Sequence, residues 1–437
     1  MPASPPPPRP LDRALDHLLR KAPERALADL LGIIEARRDP AALWAAGRAL
    51  AECAAAGRPT EAAAEKVLRA AARTATRARN LALAAAACAA LEELGCSAAT
   101  EYDEIGTTFA GPWDDAPPPN PPDPNAVLPP PPDLEFLDLV DRIEAVSEQV
   151  AEGEVAVGSP GTTELLCSKL GPQEVGAFAR TLEPRLAAAG DVLIEEGRPG
   201  RAAYFIARGE VQVVRAGRDG DDQVLARLGA GSLFGEMALL SRSPRAASVL
   251  ALRPCIVLRG SRRALDAVAA ANPRLGRALA SFCRRRMIDN LVRTSAVLRP
   301  LRTAEREALL GRFRARSFEA GQVVIAAGEE QAGLHLLASG TLRVLAEEAG
   351  ETTQLATLSP GEVVGEVGLV LRRPAPTSVV AECPAVTLHL PAEEFLSVIK
   401  EHPELLAQLY ELAVQREDET RNLLAQPAQD ASDWVLI

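Results

Sequence analysis

The sequence predicts an α+β multidomain chain: an N-terminal α-helical bundle or solenoid, then two jelly-roll-type β domains with flanking helices. Three observations carry this expectation. Residues 11–110 follow a helical pattern rich in Ala, Leu, Glu and Arg. A proline-rich stretch then interrupts it. The remainder is an internal duplication of short alternating segments punctuated by glycine. The expected organisation is a helical module at 1–110, a linker at 111–133, a helix with the first β domain at 134–294, the second β domain at 295–425 and a tail at 426–437.

Within the helical module, Pro23, Asp39-Pro40, Gly57-Arg58-Pro59-Thr60 and Gly95-Cys96-Ser97 read as helix stops followed by starts. Leu43–Gly57 can be laid on Leu81–Gly95 at a shift of 38 residues. Helix pairs stacked at such a period build α-solenoids. The run around Trp44 and Gly57 loosely resembles a tetratricopeptide repeat, although the distance between those two residues departs from that family. The module is expected to serve as a scaffold for a protein partner or as a plain bundle. The longest apolar run, Leu81–Leu91, is eleven residues without a charge. A bilayer needs about twenty, so no membrane span is expected. The opening MPASPPPPRP lacks an apolar signal-peptide centre, and a cytoplasmic chain is expected.

Residues 112–132 hold eleven prolines and neither Lys nor Arg, which predicts an extended, semi-rigid linker between the helical module and the rest of the chain. A helix is expected next, from Leu134 to Val150. Phe136, Leu139, Ile143, Val146 and Val150 form one stripe, to pack on the next domain or to pair two chains as a homodimer.

The duplication is the strongest signal. Gly190–Gly197 matches Gly321–Gly328, and Tyr204–Val214 matches His335–Leu345, both at a shift of 131. Phe234–Val249 matches Val364–Val379 at a shift of 130. Each copy ends in helical sequence, with Pro273 and Pro403 placed to begin a helix. Copy one contains G-E-M-A-L at 235–239 and P-R-A-A-S at 244–248. These residues resemble the phosphate cassette of cyclic-nucleotide-binding domains, the module of bacterial catabolite activators and protein-kinase-A regulatory subunits. The resemblance covers 160–424 and implies a β-roll with helices that move on ligand binding.

It also implies roles. Arg245 offers a planar fork to two phosphate oxygens. Gly235, Met237 and Ala238 begin a short helix whose free N–H groups favour an anion. Ala246 and Ala247 allow close approach of the backbone, and Glu236 accepts the ribose 2′-hydroxyl. Thr directly after the arginine is similar to cGMP-selective members. Ala246 lacks that hydroxyl, so cAMP is expected ahead of cGMP. The competing reading of Glu236 and Arg245 is a structural ion pair in a relic pocket. Copy two departs from the pattern. Gly365 and Glu366 remain, but Ala375 stands at the arginine position, followed by Pro376, with Arg372 and Arg373 nearby. This degenerate second site is expected to be structural.

Other functions are argued against. The formal net charge of −11 disfavours a broad nucleic-acid surface. No helix-turn-helix fits after copy two, so no DNA contact is expected. No kinase or glycine-rich nucleotide motif occurs, so the chain is not expected to be an enzyme. The seven cysteines lack metal spacing, and the four histidines are scattered along the sequence, so no metal and no cofactor beyond the nucleotide ligand is expected. The linker has no basic inhibitor segment of the kind that kinase regulatory subunits carry. Eight arginines lie between Arg274 and Arg302, as a solvated face or a docking surface. The tail Trp434-Val435-Leu436-Ile437 is expected to pack back or to engage a partner. The resulting expectation is a cAMP receptor that signals to a protein partner through its helical module or its tail. The alternative is a scaffold with relic pockets.

Overall fold

Proline opens the first three helices, at a position where its missing N–H costs nothing. These are α1 (Pro10–Leu19), α2 (Pro23–Arg37) and α3 (Pro40–Ala55). The computed structural model describes residues 9–111, 134–153, 166–216, 222–237, 243–348 and 351–425. The linker beyond Gly111 and the tail lie outside them. The chain divides into one unit of 1–239 with 247–282 and a second of 240–246 with 283–437.

In the first unit, α4 (Glu61–Arg77), α5 (Leu81–Glu93) and α6 (Ala99–Phe109) continue the helical region, each packed against its predecessor. The Asp39 carboxylate caps α3 by accepting the Ala41 N–H at 2.9 Å, and Asn80 caps α5 by accepting the Leu83 N–H at 3.0 Å. The repeat at a shift of 38 corresponds to α3 and α5. Each is followed by a left-handed glycine, Gly57 at φ +89° and Gly95 at φ +80°.

The apolar run of α5 has a structural explanation. This helix packs on α3 and α4 and also on strands β1 (Leu182–Ala187), β3 (Ala202–Arg208) and β8 (Cys255–Ser261). A helix apolar all round is one that is buried all round, and Leu81–Cys88 are all buried. Asn80 also donates to the Ala207 carbonyl of β3 at 3.0 Å. The expected stripe helix forms as α7 (Phe136–Glu152), with Leu139, Ile143, Val146 and Val150 buried. It seats on α2 and α4, and this corrects both expected placements. The buried stripe joins the hydrophobic core of the helical region.

The first roll comprises two antiparallel sheets, β1-β8-β3-β6 and β2-β7-β4-β5. The remaining strands are β2 (Val192–Ile194), β4 (Glu210–Ala216), β5 (Asp222–Gly229), β6 (Leu233–Phe234) and β7 (Ser248–Ala251). Ile194, Ile206, Val211, Phe234, Val249 and Val257 fill the space between the sheets. The opposite face of the first sheet, with Leu182, Ala203, Phe205, Ile256 and Leu258, joins the core of the helices. Helical module and first roll therefore share one hydrophobic core. Helix α8 (Pro172–Ala179) precedes the roll, and α9 (Arg262–Ala271) and α10 (Pro273–Thr294) follow it.

A buried charge cluster crosses the same junction. Asp12 of α1 is 1% exposed. It lies 2.8 Å from Arg208 at the end of β3 and 3.1 Å from Arg253 in the β7–β8 turn. Arg253 also lies 3.6 Å from Glu210.

The second unit repeats the roll with sheets β14-β11-β16-β9 and β10-β15-β12-β13. Its strands are β9 (Arg314–Phe318), β10 (Val323–Ile325), β11 (Gly333–Ser339), β12 (Leu342–Glu348), β13 (Glu351–Leu358), β14 (Val363–Val364), β15 (Ser378–Ala381) and β16 (Ala385–Pro391). Its helices after α10 are α11 (Thr303–Arg312), α12 (Glu366–Leu371), α13 (Ala392–Glu401) and α14 (Pro403–Ala425). The duplicated turns agree in conformation. Gly209 and Gly340 both have positive φ, and a Cβ there would collide with Cys255 Sγ or with the Pro384 oxygen. Only glycine fits.

Inside the second roll, His335 pairs in register with His389 across β11 and β16. The rings lie 4.4 Å apart. His335 Nδ1 is hydrogen-bonded to Thr387 Oγ1 at 3.0 Å, and neither ring nitrogen of His389 has a partner among the described residues. Burial, then His389 and Arg316, push the His335 imidazole down to about 3. Burial first, then Arg316 and Arg314, also lowers His389. The folded state holds His335 neutral while the unfolded chain protonates it below pH 6.5. Its contribution is therefore intact above pH 6.5 and lost as pH falls from there toward 3. By pH 4 the loss reaches about 3 kcal/mol, at about 1.4 kcal/mol per pH unit. Urea unfolding of the full chain at pH 7 and pH 4.5 checks this. His335→Phe should flatten the acid loss relative to the parent, and equal losses in both would refute the assignment.

Candidate ligand-binding site

In the first copy the cassette begins where β6 ends. Gly235 turns the chain at φ +76°, and Glu236 follows at 7% exposure. Met237 starts helical backbone, and Ala238 lies outside the described residues. Arg245 and Ala247 are half-buried and Ala246 is exposed, just before β7. Gly235, Glu236, Met237 and Ala247 lie in the first unit. Arg245 and Ala246 belong to the segment 240–246, which groups with the second unit. Within that unit Ser243 Oγ donates to the Pro384 carbonyl.

The cassette's end is tied to the turn after β2. The Glu196 N–H donates to Ser248 Oγ at 2.9 Å. The second copy repeats this bond, with the Ala327 N–H donating to Ser378 Oγ at 3.1 Å. The serine thus has the same structural role in both copies. In the first roll, Tyr204 stacks on Phe234 with ring centroids 5.3 Å apart, one residue from Gly235.

The second cassette is described throughout. Gly365 has φ +92° and caps α12, whose first residue, Glu366, is 1% exposed. Arg416 of α14 donates to Glu366 Oε1 at 2.7 Å and to the Val363 carbonyl at 2.6 Å. Sequence reasoning missed Arg416. It lies 50 residues from Glu366 and belongs to no cassette motif. Ala375 is 5% exposed. Its N–H donates to the Glu329 carbonyl at 2.9 Å, and its carbonyl accepts the Gly328 N–H at 2.8 Å. Arg373 pairs with Glu417 of α14 at 2.8 Å, and Arg372 is exposed.

One volume exchange accompanies the change. Gln331 stands where copy one has Gly200, and Gly368 where copy one has Ala238. A Cβ on Gly368 would collide with Gln331 Cγ. The larger side chain in the loop requires the smaller residue in the cassette.

The model of the cyclic nucleotide-binding domain matches residues 184–272 and 315–402. The chain thus carries two cyclic nucleotide-binding domains in tandem, behind an N-terminal helical region. It is 29% identical over 217 residues to a cAMP-dependent protein kinase regulatory subunit of Yarrowia lipolytica, covering 50% of this chain and 54% of that one. It is similar to the catabolite activator protein of Thermus thermophilus, at 33% identity over 29% of this chain and 59% of that one, with a TM-score of 0.27. A third similarity is to the regulatory subunit of a cAMP-independent protein kinase A from Trypanosoma brucei. That match has 19% identity, 58% and 88% coverage and a TM-score of 0.29. The chain spans about half the length of the curated relatives it matches. No helix among the described residues is long and apolar enough to cross a membrane.

Proposed function

We propose that this chain is a non-enzymatic cyclic nucleotide receptor that takes cAMP in its first domain and signals to a protein partner. The observation that carries the reading is the complete first cassette, with Glu236 buried behind the left-handed Gly235. Arg245 would meet the cyclic phosphate as a bidentate donor. Glu236 would accept the ribose 2′-hydroxyl, and Ala246, without a hydroxyl, favours adenine over guanine. The Yarrowia lipolytica relative is described by the same ligand, which supports the assignment. Ligand would act by favouring one arrangement of the surrounding helices, to the extent of its differential affinity for the two. The helical region shares a core with the first roll, so it is the natural output surface.

Isothermal titration of the full chain with cAMP and cGMP tests this. It should give one cyclic nucleotide site per chain, with cAMP bound more tightly. Two equal sites would overturn the assignment of the second domain, and absence of binding would overturn the receptor. The alternative reading is a scaffold with relic pockets. That reading predicts no nucleotide binding at all.

A further inference from the structure

We infer that the groove between α5, α6 and β1 binds a small zwitterion, an α-amino acid or a dipeptide, which offers its carboxylate to Arg180 and Tyr102 and its ammonium to Glu92. This goes beyond the proposed function and uses no cassette residue. The groove lies within the first unit and holds about 620 Å³, a volume in the range of small-molecule sites. Glu92 comes from the end of α5, Tyr102 from α6 and Arg180 from the position after α8. Ala89, Leu182 and Pro184 add apolar wall.

Three polar groups in this groove lack a partner. Tyr102 is 1% exposed and lines the groove, and its hydroxyl makes no hydrogen bond among the described residues. A tyrosine this buried normally bonds its hydroxyl. Burial first, then Cys88 and Glu92, pushes its ionisation up, so it meets a ligand as a donor. The Arg180 guanidinium lies 4.6 Å from the centroid of the Tyr102 ring. That cation–π contact restrains the guanidinium without consuming its N–H groups. Neither Arg180 nor Glu92 makes an ion pair among the described residues, although they border the same groove. The other charges there are already balanced: Glu93 by Arg48, and Glu183 by Arg259 at 3.0 Å and Arg185 at 3.8 Å. The unmet demand is one cation with a neutral donor, and one carboxylate. A simple anion would satisfy the first and be opposed by Glu92. A simple cation would satisfy the second and be opposed by Arg180. A zwitterion meets both, and the two opposed charges orient it.

Ligand-observed NMR titration of the full chain tests this. The probes are L-leucine and glycyl-L-leucine, and the controls are N-acetyl-L-leucine, which lacks the ammonium, and L-leucinamide, which lacks the carboxylate. At least one zwitterionic probe should bind with a Kd below about 10 mM, and both controls should bind about tenfold more weakly or worse. Tighter binding of leucine assigns an amino acid, and tighter binding of glycyl-leucine a dipeptide. Tyr102→Phe keeps the ring beneath Arg180 and should cost about tenfold in affinity, the share of one hydrogen bond to a charged group. Glu92→Gln should weaken leucine while leaving N-acetyl-leucine unchanged, a change of selectivity that a damaged fold would not produce. Absence of binding by the parent chain overturns the inference. So do controls that bind as tightly as the zwitterions, or Tyr102→Phe protein that binds like the parent. Titration of the parent with cAMP, read separately, decides the proposed function independently of these results.

Discussion

Replacing Arg245 with alanine is expected to weaken cAMP binding by about 30- to 5,000-fold and to leave the fold intact. A desolvated, charge-assisted contact of this kind is worth roughly 2–5 kcal/mol, and each 1.4 kcal/mol is about one decade in affinity. Arg245→Lys should recover only part of the loss. An ammonium keeps the charge but cannot present two parallel N–H groups to two phosphate oxygens. Titration of both variants, with unfolding midpoints as a control, makes the distinction. If Arg245→Ala lowers the midpoint while cAMP affinity stays unchanged, the guanidinium is structural and the receptor reading fails.

The second large effect concerns Asp12. Its carboxylate sits between Arg208 and Arg253, with Arg253 at 5% exposure. Asp12→Ala would leave the Arg208 and Arg253 guanidinium groups, with that of Arg9 close by, facing the partly exposed Glu210, and would remove the acceptor of the Arg9 backbone N–H. Breaking a buried ion pair by removing one partner typically costs about 3–5 kcal/mol. We expect a loss of that size in denaturant unfolding of the full chain. The triple replacement Asp12→Leu, Arg208→Met, Arg253→Met should restore much of it, because an apolar filling of similar volume removes the desolvation cost along with the charges. A triple variant no more stable than Asp12→Ala would mean that the geometry of the cluster, and not its charge balance, supports the junction.

Much of the fold was legible because it is local or repeated. The three aligned blocks at shifts of 131 and 130 anticipate two rolls with equivalent strands and turns. Proline and glycine marked the ends of α2, α3 and α5, since their backbone constraints act within a few residues. What escaped depends on partners distant in sequence. Asp12 and Arg253 are 241 residues apart, and no periodicity links them. Two of the four scattered histidines, His335 and His389, become neighbours in the second roll because β11 and β16 pair in register. The stripe of α7 was visible, but its partner was not, because amphipathicity tells a helix to bury a face without naming against what. In the candidate site, the retained Gly365 and Glu366 and the lost arginine were readable. The engagement of Glu366 by Arg416 required the packing of α14 on α12.

The burial of α5 sets where the protein can be cut. A fragment beginning at residue 134 would start after that helix and strip its cover from the sheet face that carries Ala203, Ile256 and Leu258. Such a piece should precipitate or recruit a surrogate cover, whatever the quality of its cassette. The two cyclic nucleotide-binding domains are accordingly not interchangeable parts, because the first completes its own envelope with a helix translated more than a hundred residues before its cassette.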